Sequence, residues 1–446
     1  MAKRTVFVCS SCGHETLKWL GKCPMCQGWD TFKEFAPAPK TDGREPRRPV
    51  ILTDEELADE ERIATGIGEM DRVLGGGMTI GSAILLGGDP GIGKTTLCFE
   101  VAAKLTELGL KVLYVSGEES LKQLASRKKR LGLKAGFAFL TTNHLDDILT
   151  AINEERYALV IVDSVQAVYN PKLPMLPGSM GQVKDVSTRL TMEMKALDTS
   201  LIFIGHVTKE GVIAGPKVLE HMVDTVLYFE GDKMLPYRML RTIKNRYGAV
   251  EEVGIFQMTG DGLISVENPS QFFMSQRGDI GEGSSLFPCI TGSRPIVLEV
   301  QAITQKTNFS MPRRLSLGYD VNRLFILISV IEKTVGKPFF DRDIYVNVTG
   351  GMKVNEPAID LPVAASILSS YKDAALGRET AFFGEVGLTG EIRKTVNMDL
   401  RIKECQRIGI KRVFCPADGA RSDGIEIVSI GNLKDLSQKI RKKAGE

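Results

Sequence analysis

The apolar run Ala83-Ile84-Leu85-Leu86 leads directly into Gly88-Asp89-Pro90-Gly91-Ile92-Gly93-Lys94-Thr95, and Thr96 to Leu108 then has helical spacing closed by Gly109. Few folds accept a short apolar run, a glycine-rich turn and a helix in that order. The run has to be a buried strand, and the glycines let the backbone turn its N–H groups inward. The helix starts with unpaired N–H groups and partial positive charge aimed at the same point. Such a loop holds phosphate: Lys94 reaches the β- and γ-phosphates, the Thr95 hydroxyl ligates Mg²⁺, and Gly88 through Thr96 line the nucleotide. ATP and Mg²⁺ are the expected ligands.

Around this loop, short apolar runs alternate with amphipathic stretches: Ser82 to Leu86, Val112 to Ser116, Leu159 to Val162, Leu201 to Gly205 and Val223 to Phe229. Buried strands alternating with helices predict an α/β core with a mostly parallel sheet. Asp163 ends one of these runs, where a carboxylate can join the magnesium shell; a turn-forming Asp is the plainer alternative. Glu118, after the Val112 to Ser116 run, is placed to polarise the attacking water, although Glu119 is adjacent and either can be a solvated helix-start acid.

The length of 446 residues suggests about three units at roughly 150 residues each. With 43% hydrophobic and 25% charged residues the chain is neither disordered nor fibrous, and its net charge of +2 gives no global pull toward nucleic acid. Apolar runs such as Leu324 to Ile331 are far short of the roughly 20 residues that cross a bilayer, and the N-terminus lacks a secretory pattern, so a cytoplasmic protein with no membrane partner is expected.

Cys9-x2-Cys12 and Cys23-x2-Cys26 provide two chelating knuckles, the donor set of a closed tetrahedral Zn²⁺ site. Residues 1–35 are too few to fold on an apolar core alone, and metal supplies the staple. Gly13 and Gly28 suit the knuckle turns, and His14 is a bystander; a redox CxxC would need a βαβ setting that is missing here. Cys98, Cys289, Cys405 and Cys415 read as small buried hydrophobes. The Pro- and charge-rich stretch 36–50 reads as a tether between this module and the ATPase segment, 51–267.

The sequence Thr65-Gly66-Ile67-Gly68-Glu69-Met70-Asp71-Arg72-Val73-Leu74-Gly75-Gly76-Gly77 resembles the opening of RecA-type cores. Residues 268–446 include Val346 to Pro362 and Gly384 to Ile392, which resemble the Lon proteolytic domain. With the four-cysteine module and Lys244-Asn245-Arg246-Tyr247-Gly248, this order is similar over the whole chain to the bacterial RadA (Sms) family, whose pentapeptide usually has Phe where Tyr247 stands. The resemblance implies a RecA-like, DNA-dependent ATPase of recombination and repair. It further implies a homo-hexameric, DnaB-type helicase that drives branch migration on single-stranded and branched DNA with a RecA-type recombinase.

In that setting Lys244 and Arg246, two apart on a strand and so on one face, would serve a neighbouring subunit's γ-phosphate as trans fingers; a basic sheet edge is the alternative. His206 would be a polar sensor. The segments Pro171 to Val183 and Val207 to Lys217, the latter with Lys209 and Lys217, would be the DNA-contacting loops. Lon chemistry needs a Ser/Lys dyad. Here Pro357-Ala358 stands at the Ser position and Asp399 at the Lys position, and Ser366, Ser369 and Ser370 read as packed or capping, which leaves a scaffold for ring assembly. Arg313, Arg314, Lys353 and Arg393 would give that scaffold DNA contacts or merely a solvated face. An ATP-dependent protease and a KaiC-like, non-translocating regulatory ATPase are the alternative functions.

Overall fold

Six parallel strands carry the nucleotide half of the chain, in the order Thr225–Glu230, Ala83–Gly88, Ser200–Ile204, Leu159–Asp163, Val112–Ser116 and Ala138–Thr141. The computed structural model describes residues 6–35, 61–205, 215–231, 236–250, 252–275, 281–309, 311–416 and 424–440. The tether at 36–50, His206 and Lys209 lie outside these residues. Two units emerge, Met1–Ser265 and Val266–Glu446.

In the first unit the central parallel strands are largely apolar because both sheet faces are covered. Successive side chains alternate between the faces. Ile84 and Leu86 join Leu97, Cys98 and Val101 of the helix Lys94–Glu107 in one core. Ala83 and Leu85 join Val183, Val186 and Leu190 of the helix Met180–Ala196 in the other. Each of the Ile, Leu and Val side chains among them contributes about 1.5–3 kcal/mol on burial. The strand Ala138–Thr141 at the sheet edge was not apparent in the apolar pattern, because its residues are only partly covered.

Beyond Thr225–Glu230 the sheet continues antiparallel through Tyr237–Asn245, Val253–Thr259 and Gly262–Ser265. Thr225–Glu230, the strand that carries this extension, runs tight against the phosphate loop: a Cβ on Gly88 would stand 2.3 Å from the Phe229 carbonyl oxygen, so only glycine fits there.

The N-terminal module is a three-stranded antiparallel ribbon, Glu15–Thr16, Val6–Cys9 and Phe32–Phe35. Its buried core is Cys9, Cys23 and Phe32, with Phe7 and Cys12 packed against it. Gly13 has φ 74°, as a knuckle turn requires. The second knuckle corrects the sequence expectation, since its left-handed residue is Gln27, φ 60°, and not Gly28. The turn falls at the same offset in both, where Gly13 N–H donates to Cys9 O and Gln27 N–H to Cys23 O, each at 2.9 Å.

The second unit has a seven-stranded sheet in the order Arg314–Leu317, Arg342–Val348, Arg294–Lys306, Ser284–Thr291, Thr380–Phe382, Arg412–Cys415 and Glu426–Ser429. The helix Asp360–Lys372 packs on its central pair, with Leu361, Val363, Ala364 and Ile367 fully buried. The helix Val321–Val335 is capped at its start by Asp320, whose carboxylate accepts from Arg323 N–H, and is closed by Gly336.

Candidate nucleotide and metal sites

The phosphate loop sits at the carboxyl end of the strand Ala83–Gly88 and opens on a cavity of about 470 Å³. Gly91, Gly93, Lys94, Thr95 and Thr96 line one side; Ser116, Glu118 and Asp163 come from the carboxyl ends of neighbouring strands. Side chains scattered along the sequence meet there because parallel strands present their carboxyl ends at one edge.

Lys94 is buried, and its Nζ donates to the carbonyls of Gly88 at 2.6 Å and Asp89 at 3.0 Å. Burial lowers its pKa, with the charge of Asp163 working in the other direction. Thr95 Oγ1 donates to Asp163 Oδ2 at 2.8 Å, so the hydroxyl and carboxylate expected to share Mg²⁺ are already adjacent. The Tyr114 hydroxyl donates to the same carboxylate oxygen at 2.6 Å and is pushed well above its usual range by burial and by Asp163.

The two glutamates differ in surroundings. Glu118 Oε1 accepts from the Ser164 hydroxyl, which ties it to the residue after Asp163. Glu119 is ion-paired with Arg127, and its backbone N–H donates to Ser116 Oγ at 3.0 Å. Both line the cavity, together with Arg127, Arg130, Arg238 and Met258.

Tyr114, Ser164 and these last four residues were not picked out from sequence. Tyr114 is hidden inside an apolar strand run, and Arg127 and Arg130 look like the solvated face of the helix Leu121–Arg130. Arg238 lies far downstream, on the antiparallel extension.

Lys244 and Arg246 are elsewhere. The strand Tyr237–Asn245 ends before Arg246, and its pairing shifts register opposite Val226 and Leu227. That shift falls before Lys244, and Arg246 N–H still donates to Asp224 O at 3.1 Å, one step beyond the pairing of Asn245 with Thr225. The two side chains reach neighbouring groups. Lys244 Nζ donates to the carbonyls of Glu220 at 2.8 Å and Val223 at 2.7 Å, at the end of the helix Gly215–Met222, where carbonyls lack helical partners. Burial and the nearby Arg246 lower the pKa of Lys244. Arg246 Nη1 lies 3.2 Å from Asp224 Oδ1. Asp224, almost fully buried, also holds Lys195 at 3.1 Å and Ala83 N–H at 3.0 Å.

Ala83 begins the strand whose other end carries the phosphate loop, about 20 Å away over six residues. The pentapeptide also packs on the segment resembling a RecA opening. Arg62 donates to Tyr247 O and, at 3.0 Å, to Leu74 O, while Asn245 Nδ2 donates to Leu74 O at 3.4 Å.

In the ribbon, the four Sγ atoms of Cys9, Cys12, Cys23 and Cys26 all lie within 4.8 Å of one another. The contacts Cys9 to Cys26 at 3.7 Å and Cys12 to Cys23 at 3.5 Å approach the ~3.8 Å edge of a tetrahedron with Zn–S bonds of about 2.3 Å. The donor set fits Zn²⁺ and would hold it as a closed structural site. Burial pushes the Cys9 thiol up, but hydrogen bonds from Thr31 and the backbone of Cys12 and Ser11 outweigh this and bring it to about 6. Burial raises Cys12 to about 12. The first knuckle touches the start of the helix Met180–Ala196 and the segment before it: a Cβ on Gly13 would lie 3.3 Å from Gly181 Cα and 3.7 Å from Met175 Sδ.

In the second unit Ala358 is buried and its carbonyl accepts from Gly384 N–H at 2.9 Å, while Asp399 lies in the first turn of the helix Met398–Arg407. Pro362 is followed by Val363, also buried and without a nucleophile. Ser366 bonds Ser285 and Val300 O, Ser369 bonds Gly283 N–H and Ala374 O, and Ser370 accepts from Thr304 N–H. Arg314 donates to Arg342 O and Phe339 O, Arg313 stacks on Phe309 at 3.8 Å, and Arg393 pairs with Glu391. Lys353 is exposed.

The phosphate loop, the Thr95–Asp163 pair and the sulfur cluster define a P-loop ATPase of RecA-like α/β fold carrying a zinc ribbon, with ATP, Mg²⁺ and Zn²⁺ as its cofactors. Residues 63–136 match the KaiC family, 7–34 the rubredoxin metal binding domain, and 326–419 the ChlI subunit of Mg-chelatase.

The chain is 43% identical to the DNA repair protein RadA of Bacillus subtilis (strain 168) over 98% of both chains. It is 42% identical to that of Halalkalibacterium halodurans, over 97% of this chain and 98% of the relative, and 42% to that of Listeria monocytogenes, over 93% of each. The chain belongs to the RadA family. A KaiC-like protein of Pyrococcus horikoshii shares 18% identity, covering 46% of this chain and 99% of its own, with a TM-score of 0.38. Among the described residues no helix is long and apolar enough to cross a membrane.

Proposed function

We propose that the chain is a DNA-dependent ATPase of recombinational repair: a cytoplasmic homo-hexameric ring of DnaB type that moves on single-stranded DNA and drives branch migration alongside a RecA-type recombinase. The observation that carries this reading is the separation of two sets of cations. Lys94 belongs to the chain's own phosphate loop. Arg246 stands at the opposite, amino end of the same strand, and Lys244 points to the sheet face away from the loop's helix. Neither reaches its own nucleotide, so a phosphate role for them needs a neighbouring subunit, as in a ring.

Arg246 is half exposed, and if it swings outward Asp224 keeps Lys195 and Ala83 N–H as partners. Its release therefore leaves no orphaned buried charge. Kinship with DNA repair proteins supports DNA as the track. In this reading Glu118 polarises water, Thr95 and Asp163 hold Mg²⁺, and the second unit is a scaffold without protease chemistry, since Ala358 and Asp399 stand where a dyad would act.

The test is ATP hydrolysis with and without single-stranded DNA, on the wild type and Lys94→Ala in parallel. Stimulation by DNA that disappears in the variant supports the motor. Hydrolysis indifferent to DNA moves the assignment to a regulatory ATPase, a reading favoured by the KaiC match over residues 63–136. In the same series, Lys244→Ala and Arg246→Ala should bind ATP normally but hydrolyse it slowly; full-rate hydrolysis removes the trans-finger role.

A further inference from the structure

We propose that Arg238 is a positioning residue of the nucleotide site, setting the Ile92–Gly93 peptide so that the Gly93 N–H points at the phosphates. The inference rests on the P-loop ATPase assignment and not on the DNA motor.

Arg238 is a buried guanidinium on the antiparallel extension, with 5% of its surface exposed, and it lines the nucleotide cavity. Its Nε donates to the carbonyl of Ile92, inside the phosphate loop, at 3.3 Å, and its Nη1 donates to Tyr237 O at 2.7 Å. The bond to Tyr237 anchors the guanidinium to its own strand, and the bond to Ile92 reaches across to the loop.

Among the described residues the only cis peptide is Asp163–Ser164, so the Ile92–Gly93 peptide is trans and planar. In a trans peptide the carbonyl and the following N–H point in opposite directions. Drawing the Ile92 carbonyl toward Arg238 therefore turns the Gly93 N–H away from it, toward the interior of the loop, where backbone N–H groups cradle the α- and β-phosphates.

The same peptide is backed by packing: a Cβ on Gly93 would lie 2.8 Å from Met258 Cε and 3.2 Å from Phe229 Cε1. Arg238 and Met258 come from the first two strands of the extension, and Phe229 from the parallel strand that carries it. The extension and the strand that carries it thus act as a back plate for the phosphate loop, with Arg238 supplying a charged contact to an anion-binding peptide. A charge-assisted donor suits this task because it holds a carbonyl more firmly than a neutral one.

The experiment uses the full chain without DNA, so a failure of the DNA reading does not affect it. Equilibrium binding of ADP and ATP to wild type, Arg238→Gln and Arg238→Lys is measured beside the melting temperature of the nucleotide-free proteins. Losing the charged bond should weaken ADP and ATP alike by about tenfold in Arg238→Gln. Arg238→Lys should recover part of that loss, and melting of the nucleotide-free chain should stay near wild type.

A loss confined to ATP would overturn the proposal, pointing to direct contact with the γ-phosphate. A lowered melting temperature with wild-type affinity would overturn it too, reducing Arg238 to a structural arginine. If Arg238→Gln does not fold, Arg238→Lys decides: wild-type affinity for both nucleotides refutes positioning, and weakened affinity for both supports it.

Discussion

The two α/β units both bury arginines and carboxylates, and they differ in where those groups point. At the carboxyl edge of the first sheet, Lys94, Glu118, Asp163, Arg127 and Arg130 surround one open volume of about 470 Å³. In the second unit the fully buried Arg401 pairs with Glu356 and donates to Pro288 O at 2.6 Å. There too Arg323 grips Asp360 with two bonds of 2.6 Å. In the first unit the charges face the volume at the phosphate loop; in the second, Arg401 and Glu356 are turned on one another, whereas Arg323 and Asp360 also line a cavity of about 340 Å³.

The most severe test removes a charge aimed at the cavity. Lys94→Ala should lower ATP turnover more than about 100-fold while leaving the melting temperature within a few degrees, because the Gly88 and Asp89 carbonyls that its ammonium bonds belong to the loop at the cavity edge. Phosphate release and a thermal melt on the same preparation check both halves. A variant that turns over normally would undo the contrast at its centre. Next in size, Glu118→Gln should cut kcat by about 100-fold, the usual range for a lost general base, whereas Glu119→Gln should cost only a few-fold because Glu119 is already occupied by Arg127. A reversed ranking would exchange the roles of the two acids.

In the second unit the corresponding deletion should affect stability and not catalysis. Arg401→Met leaves Glu356 without its cation and should destabilise that unit by about 3 kcal/mol, with KM and kcat for ATP unchanged. Chemical denaturation measures the first and steady-state kinetics the second. A fall in kcat at constant stability would mean that the two units share the catalytic work.

Much of this was legible in the sequence, for a physical reason in each case. The strand–glycine–helix order fixes the phosphate loop because few other backbones can turn that way. The strands at Val112–Ser116 and Leu159–Asp163 are apolar on both faces, so their runs are unbroken. The cysteine spacing describes a tetrahedron directly.

What was hidden depends on long-range pairing. Nothing near Arg238 in sequence marks it as a neighbour of Ile92, since the contact arises only when the antiparallel strands fold behind the loop. That Lys244 and Arg246 meet the helix end at Glu220 and Val223 and the buried Asp224 is likewise a matter of long-range packing, which a two-residue alternation cannot reveal. The left-handed turn at Gln27 shows the opposite limit, because a hydrogen bond and metal geometry can impose a conformation that residue type alone assigns to Gly28.

Glu100 gives the smallest effect and sharpens the comparison, because it is a half-buried acid of the first unit held by a backbone N–H. It sits in the helix Lys94–Glu107, and its Oε1 accepts from Leu263 N–H at 2.8 Å. Burial raises its carboxyl from 4.5 to about 7, with the Leu263 bond and the charge of Lys104 working the other way. Between those two values the folded chain holds more protons than the unfolded one, so this group's contribution to stability is complete below about pH 4.5. It declines as pH rises toward 7. Glutamine keeps the oxygen that accepts from Leu263 and cannot ionise. Glu100→Gln should therefore melt with the wild type at pH 5 and about 2–4 °C above it at pH 8. Melting curves across that range decide the matter, and a constant offset between the two proteins at every pH would show that Glu100 carries no buried charge to relieve.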